Sequence, residues 1–149
     1  MQFEYIDYEL NQTQTIIDRK HSIMIGSIHT NDYNYLINTL STGTKLHQPD
    51  LLKIVVSYDI YHLVQQHLHQ YYHKYPKIFI AIGMEGSITR ITNKYLTPIT
   101  SEYVESTAPG QLTHPQIKMF RDSLYINKIQ EFYLFGFPIQ KSPSPSLHN

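Results

Sequence analysis

The run Leu51–Ser57 constrains the fold more than any other part of the chain, because it is almost continuously apolar except for Lys53. Such a run, bounded by polar residues, is typical of a strand buried on both faces of a parallel sheet. Lys53 does not fit this pattern, since burying an ammonium group is costly unless it is paired or gives up its proton. A neutral lysine amine is a nucleophile that forms a Schiff base with a carbonyl compound. The simpler interpretation is an edge-strand lysine whose head group reaches back to water.

Composition limits the chain to one ordinary domain without disulfide chemistry. Its 149 residues are 41% hydrophobic, which suffices for a core. Twelve basic and twelve acidic side chains cancel, so net charge does not point to nucleic acid or to an anionic membrane. The chain has no cysteine, which excludes disulfides, thiolate catalysis and cysteine-based zinc sites.

Neither a membrane span nor a secretion signal is recognisable. No apolar stretch reaches the roughly 18 residues that a membrane-spanning helix needs. Residues 1–10 contain Glu4, Asp7 and Glu9 and lack the basic start and apolar centre of a signal peptide. We therefore expect a soluble, cytoplasmic protein.

Short β-rich runs alternate with segments of helical period. Strands are predicted at 3–10, 22–28, 51–57 and 77–82, and a further strand at 132–135. Helical segments of crossover length separate the strands, which predicts a parallel α/β fold rather than a sandwich.

The predicted helices are amphipathic and carry recognisable end signals. The first is predicted to be capped within 30–32 and to stop at Gly43, and the second to be capped by Asp59 and ended by Pro76. A third is predicted to begin at the capping box 113–116. The inward residues of the first two helices are predicted to be Tyr33, Leu36, Ile37, Leu40, Ile60, Leu63, Val64, Leu68 and Tyr71.

Three chemically distinctive side chains fall in or just after predicted strands. His29 follows the second strand, Lys53 lies within the third, and Arg90 comes after the strand ending near Ile82. Active sites of parallel barrels lie at the carboxyl ends of the strands, so these groups would meet at one edge. A base, an amine nucleophile and an anion-binding guanidinium suit carbonyl chemistry on a carboxylate substrate. Taken singly, His29 as a helix cap and Arg90 as a surface residue are the simpler explanations.

A loop at 107–111 and a group of histidines are two further candidates for a functional site. Residues 107–111 form a tight loop that either is an ordinary turn or places Gln111 over a ligand. His69 and His73 have helical i, i+4 spacing but lie on a polar stripe with His62, and that stripe contains no acidic residue. A solvated helix face is therefore the better interpretation, and we expect no metal site.

Four motifs resemble, in the same order, the C-terminal half of type I 3-dehydroquinate dehydratase, a (β/α)8 barrel of the shikimate pathway. They are Gly26–His29, Leu51–Val55, Gly86–Arg90 and Ala108–Leu112. Residues 132–140 and 142–149 resemble the opening of shikimate dehydrogenase. The two domains in this order are similar to the fungal pentafunctional AROM polypeptides. This resemblance implies that residues 1–127 form about strands 4–8 of a TIM barrel and that 128–149 hold the first strand of a following α/β domain.

The resemblance assigns the central chemistry to two residues. Lys53 matches the lysine that forms an imine with the C3 carbonyl of 3-dehydroquinate. His29 matches the general acid/base that removes the C2 proton and helps the C1 hydroxyl to leave. The implied reaction is the dehydration of 3-dehydroquinate to 3-dehydroshikimate, a lyase reaction without metal or organic cofactor.

The resemblance also implies substrate-binding residues. Arg90 matches the residue that holds the substrate carboxylate, while Gln111 and Thr107 belong to the loop that closes over it. Thr107 stands where the family often has serine, which preserves a hydroxyl group. In the tail, Ser142 and Ser144 match serines that bind the shikimate carboxylate in the dehydrogenase.

The resemblance begins at Phe3, and the first three strands of the family's barrel have no counterpart in the match. The family carries a Glu-x-Arg element, an arginine on the next strand and a glutamate that orients the catalytic histidine. We expect none of these here, because the match begins at about the fourth strand. Ile82 occupies a position often taken by methionine. The dehydrogenase-like part stops before any nucleotide-binding glycine motif, so NADP binding by a Rossmann domain is not expected.

Three interpretations of function follow. The first interpretation is a fragment of a dehydratase barrel that has weak or no activity alone. Such a fragment is expected to be marginally stable, to self-associate or to pair with a chain that supplies the missing strands. The second interpretation is a non-catalytic, ligand-sensing protein similar to the fungal quinate-pathway repressors. The presence of both Lys53 and His29 argues against it. The third is a truncated gene product without a function of its own.

Overall fold

Four parallel strands form the main sheet, and their order in space follows their order in the chain. The computed structural model describes residues 5–14, 19, 22–93, 97–99, 110–123 and 133–135. Its elements are β1 Tyr5–Glu9, β2 Ile23–Thr30, α1 Tyr33–His47, β3 Leu51–Ser57, α2 Tyr58–Tyr71, β4 Lys77–Ile82, α3 Ser87–Thr92, β5 Thr97–Ile99, α4 His114–Ser123 and β6 Tyr133–Phe135.

The strand order β1-β2-β3-β4 is that of a barrel segment. In a doubly wound sheet the strand order reverses at a switch point, whereas in a (β/α)8 barrel each strand pairs with the next one along the chain. Each neighbouring pair is parallel, with Gly26 opposite Leu52 and Ile54 opposite Phe79. The predicted α/β class and partial barrel are therefore confirmed, and β1 and β4 are the edges of the described sheet.

Helices α1 and α2 both pack on one face of this sheet. Side chains alternate along each strand, so every second residue of β3 faces the helices. Leu52, Ile54 and Val56 are fully buried there with Leu36 and Leu40 of α1. A layer of helices on one face, and none from α1 or α2 on the other, is what a barrel wall requires.

Helix α1 begins where the sequence indicates but ends later. The Asp32 carboxylate accepts a hydrogen bond from the Tyr35 amide at 3.1 Å, which confirms the predicted cap. Gly43 does not end the helix, which continues to His47 and finishes at Gln48 in the left-handed conformation. Gly43 instead provides room, since a Cβ there would lie 2.6 Å from the Leu10 carbonyl oxygen. The stop prediction was wrong because this glycine allows a close tertiary contact.

Helix α2 also differs at both ends from its prediction. Asp59 lies inside the first turn, and Ser57 is the cap residue although its side chain makes no capping hydrogen bond. The helix ends at Tyr71, before the predicted stop at Pro76. Val64 and Leu68 are buried as predicted, whereas Leu63 and Tyr71 are 48% and 62% exposed. The buried stripe of α2 is therefore narrower than predicted.

The remaining elements follow the main sheet in the chain. Thr113 and Gln116 form the predicted capping box at α4, with reciprocal bonds of 2.9 and 3.3 Å. Strand β6 confirms the strand predicted near the C-terminus and pairs in parallel with β5 in a second, two-stranded sheet. Among the helices within the described ranges, none combines the length and apolar character needed to cross a membrane.

Candidate functional site

Several polar side chains of the main sheet lie on the face opposite α1 and α2. Lys53 of β3 lies directly beside Ser27 of β2 in the parallel register. His29 is two residues further along β2 and therefore points to the same side. Lys53 and His29 therefore share one face of two adjacent strands, two register positions apart. His29 lies within β2 rather than after it, because the ladder with β3 continues to Thr30.

Lys53 is held by a carboxylate from the first strand. Its Nζ donates to Asp7 Oδ2 at 2.9 Å, and the two side chains are 16% and 38% exposed. Strand β3 lies between β2 and β4, so the interpretation of Lys53 as an edge-strand residue is wrong. The ammonium is accommodated by an ion pair on the sheet surface.

Ser27 fixes the same carboxylate from the other side. Its hydroxyl donates a short hydrogen bond to Asp7 Oδ1, so each oxygen of Asp7 has its own donor. A carboxylate bound at both oxygens has little freedom to rotate, which directs Oδ2 towards Lys53. Three consecutive strands thus supply one hydrogen-bonded chain, Ser27–Asp7–Lys53.

His29 has its own acidic neighbour. Its Nδ1 lies 3.4 Å from Oε1 of Glu9, which is two residues after Asp7 on β1. The expectation that no glutamate accompanies the histidine is therefore wrong. A carboxylate at Nδ1 favours the tautomer with its proton there, which leaves Nε2 to accept a proton from a ligand. The sequence signal for this contact was the alternation Asp7-Tyr8-Glu9 within a predicted strand.

Arg90 is buried in the short helix α3, with only 2% of its surface exposed. Burial lowers the pKa of its guanidinium to about 10, so the group remains charged at neutral pH. The interpretation of Arg90 as a surface residue is wrong. Its helix is tied to β4, since the Ala81 amide donates to Thr89 Oγ1 at 2.9 Å.

The loop that carries Gln111 lies at the carboxyl end of β4. The Ser87 hydroxyl donates to the Gly110 carbonyl at 3.4 Å, and Gly110 packs against the backbone of Gly83, the first residue after β4. Both glycines have positive φ, +82° and +95°, which a residue with a Cβ adopts only with strain. Gln111 itself is half-buried.

The two halves of the predicted site are thus placed differently. Lys53 and His29 share one face of β2 and β3, while Arg90 and Gln111 belong to loops and a helix beside β4. Three other predicted residues, Thr107, Ser142 and Ser144, lie outside the described residues. The structure adds three residues that the sequence interpretation missed: Asp7, Glu9 and Ser27.

The histidine stripe of α2 is separate from this face. His62 and His69 are exposed, which confirms the predicted solvated helix face, and His73 is exposed just after the end of α2. A cavity of about 440 Å³ lies beside His69, between α2 and α3, on the side of Phe79 that faces the helices. Within the described part of the chain, no group of three or more histidine, aspartate or glutamate side chains is arranged to hold a metal ion.

Comparison with known proteins places this sheet in a family. The family model described as type I 3-dehydroquinase matches residues 1–128. The pentafunctional AROM polypeptide of Saccharomyces cerevisiae is 32% identical over an alignment of 160 positions, gaps included, that covers 98% of this chain and 10% of the relative. That of Komagataella phaffii is 30% identical over 97% of this chain, and that of Pneumocystis carinii is 38% identical over 51% of it. The chain spans about a tenth of the length of these relatives, or less. From the family match over most of its length, and from the parallel sheet that carries Lys53 and His29, the chain belongs to the type I 3-dehydroquinase family.

Proposed function

We propose that this chain carries the imine-forming part of a 3-dehydroquinate dehydratase, the lyase that converts 3-dehydroquinate to 3-dehydroshikimate in the shikimate pathway. The observation that supports this is the shared sheet face of Lys53 and His29, each with a carboxylate from β1 within 3.4 Å. This arrangement offers an amine nucleophile and a base on adjacent strands, as Schiff-base elimination requires.

In the proposed reaction Lys53 is the nucleophile and His29 is first the base and then the acid. The Lys53 amine attacks the C3 carbonyl of 3-dehydroquinate, and loss of water gives a protonated imine. That imine draws electrons from the neighbouring carbon, so the C2 proton becomes acidic enough for the His29 imidazole to remove it. The same imidazole then returns a proton to the departing C1 hydroxyl, which leaves as water. A water molecule finally hydrolyses the product imine, which releases 3-dehydroshikimate and restores the Lys53 amine. No step calls for a metal or an organic cofactor.

Substrate binding is proposed for the residues beside β4. Arg90 retains its charge at neutral pH and would bind the substrate carboxylate by a charge-assisted contact. Gln111 and Thr107 would close over the ligand from the loop that follows β5.

The organisation of the longer protein is also part of the proposal. We propose that residues 1–127 are the C-terminal part of the barrel and that 128–149 begin a shikimate dehydrogenase-like domain in which Ser142 and Ser144 bind a carboxylate. The family match that ends at residue 128, and the relatives aligned over 98% of the chain, support this division. Among the residues that the structure describes, β1 and β4 are the edges of the sheet, which supports pairing with a chain that supplies further strands, or self-association. A cytoplasmic location belongs to the same proposal.

Borohydride trapping tests the proposal directly. The purified chain is incubated with 3-dehydroquinate, reduced with borohydride and examined by intact mass and peptide mapping. We expect one adduct, on Lys53, because only an imine is converted by borohydride to a stable amine. Lys53→Arg should abolish it while keeping a cation beside Asp7. Lys45→Arg, at an exposed position of α1, is the matched control and should leave the adduct unchanged.

The result distinguishes the enzyme from a ligand sensor. An adduct on Lys53 supports the dehydratase proposal. A folded sample that gives no adduct contradicts it. If such a sample still shows a raised melting temperature with 3-dehydroquinate, the non-catalytic, ligand-sensing interpretation replaces the enzyme.

A further inference from the structure

We propose that Asp7 is the proton acceptor and donor for Lys53 during imine formation, an inference that rests on the function proposed above. Its carboxylate is the acceptor of the Lys53 ammonium at 2.9 Å. An ammonium has no lone pair, so it must lose a proton before it can attack a carbonyl carbon. Asp7 Oδ2 is already in hydrogen-bond contact with the proton that has to leave.

The proton can be followed through each step. The ammonium gives one proton to Asp7 Oδ2, and the freed nitrogen lone pair attacks the carbonyl carbon while the carbonyl π pair moves to oxygen. A proton passes from nitrogen to that oxygen, which gives a neutral carbinolamine. Asp7 then returns its proton to the carbinolamine hydroxyl, water leaves with the C–O bond pair, and the nitrogen lone pair forms the C=N bond. The products are a protonated imine, water and the original carboxylate.

The other charged groups on this face are arranged differently. Glu9 lies 3.4 Å from His29, so the second carboxylate of β1 is placed to serve the imidazole. On the other side of Lys53, β4 contributes the apolar Ile78 at the same register position. Ser27 fixes the oxygen of Asp7 that does not contact Lys53. These contacts assign one carboxylate to the amine and the other to the base.

Removing this carboxylate takes away the group that accepts the proton of the Lys53 ammonium. The ion pair itself is partly exposed, at 16% and 38%, so its direct energetic contribution is small. Loss of a positioned proton carrier typically slows a reaction by about 10²- to 10⁴-fold. We therefore expect slower imine formation at every pH.

The test is the rate of adduct formation in the whole chain, measured by quenching with borohydride at set times between pH 5 and 9. Asp7→Asn keeps the size of the side chain and should lower the plateau rate about 10²-fold. Asp7→Glu should recover part of it, and Ser27→Ala should give a smaller decrease because Asp7 loses one of its two donors. Asp59→Asn, which removes an exposed carboxylate from the first turn of α2, is the charge-matched control and should react like wild type.

Each outcome is informative. A folded Asp7→Asn chain with the wild-type rate and pH profile overturns the inference while the proposed function stands. A wild-type chain without an adduct overturns both. If Asp7→Asn fails to fold, Ser27→Ala decides, and an unchanged rate and half-maximal pH in that variant overturn the inference. Slow trapping by Asp7→Asn with recovery in Asp7→Glu supports it.

Discussion

The two faces of the four-stranded sheet differ in what they bury. On the face towards the helices, Leu52, Ile54 and Val56 of β3 are fully buried in the largest apolar cluster. On the opposite face the same strand presents Lys53, which pairs with Asp7 of β1. Alternate residues of one seven-residue strand therefore belong to different environments.

This difference separates stability from chemistry. Apolar burial against α1 and α2 supplies the free energy that holds the strands, at about 25 cal/mol per Å². The ion pair on the other face is partly exposed, and such pairs contribute only about 0–1 kcal/mol. Substitutions of the helix-facing apolar residues should thus unfold the chain, whereas substitutions of Lys53 or Asp7 should abolish the chemistry with little loss of stability.

The largest expected effect on stability comes from the helix-facing cluster. Ile54→Ala removes a fully buried side chain and should lower the free energy of unfolding by about 2–5 kcal/mol. Urea denaturation followed by circular dichroism measures this change. Leu63→Ala, which truncates a 48% exposed side chain of α2, is the control and should change stability by about 0.5 kcal/mol or less. A loss below about 1 kcal/mol for Ile54→Ala would show that this face is not the core.

Gly43→Ala tests the close packing between α1 and the end of β1. The new methyl group would lie 2.6 Å from the Leu10 carbonyl oxygen, and such overpacking typically costs about 1–3 kcal/mol. Alanine is better than glycine inside a helix by about 1 kcal/mol, which offsets only part of that cost. We expect a net loss of up to about 2 kcal/mol in thermal or urea unfolding. Ser41→Ala, an exposed position on the same helix, should not destabilise; a stabilised Gly43→Ala would mean that Leu10 moves aside freely.

The sequence predicted the elements of the fold well where the signal is local. Strands 51–57 and 77–82 were predicted with the observed bounds, because a continuous apolar run between polar residues leaves little choice. The Asp32 cap and the 113–116 capping box are likewise local hydrogen-bond patterns. Gly43 was misread as a stop, since its role depends on Leu10, which is distant in sequence.

The site was predicted less completely, for a similar reason. Lys53 and His29 stand out by residue type, and strand order brings them together. No local sequence pattern identifies Asp7 and Glu9 as site residues. Their contacts with Lys53 and His29 depend on the register between three strands. The burial of Arg90 depends on how α3 and the loop at 110 pack on β4, which no local pattern shows.

On the polar face, Lys53→Met should separate function from stability. The substitution keeps the length of the side chain but removes the ammonium, so the adduct with 3-dehydroquinate should disappear. Asp7 retains its bond from Ser27 and remains 38% exposed, so it is not left buried without a partner. We expect the free energy of unfolding to change by no more than about 1 kcal/mol in urea titrations. A loss as large as that of Ile54→Ala would place the ion pair among the main stabilising contacts and erase the contrast between the faces.

The smallest expected effect lies on the helix side and depends on pH. His67 of α2 is packed against Tyr71 and Tyr72, with ring centroids 4.8 and 5.8 Å away, and burial lowers its pKa. Because the unfolded chain then takes up the proton first, neutral His67 favours the folded state above pH about 6.5. That contribution is lost as the pH falls through the lowered pKa of the folded state.

Between pH 7.5 and pH 5, the free energy of unfolding in urea should therefore fall less for His67→Gln than for wild type. The matched control is His69→Gln, since His69 is exposed on the same helix and should retain the wild-type difference. If the free energy of unfolding falls as much in His67→Gln as in wild type, or more, groups other than His67 determine the acid sensitivity of the helix side of the sheet. A reduced loss would mean that even on the face built for stability, a partly buried imidazole makes the packing against α2 weaken in acid.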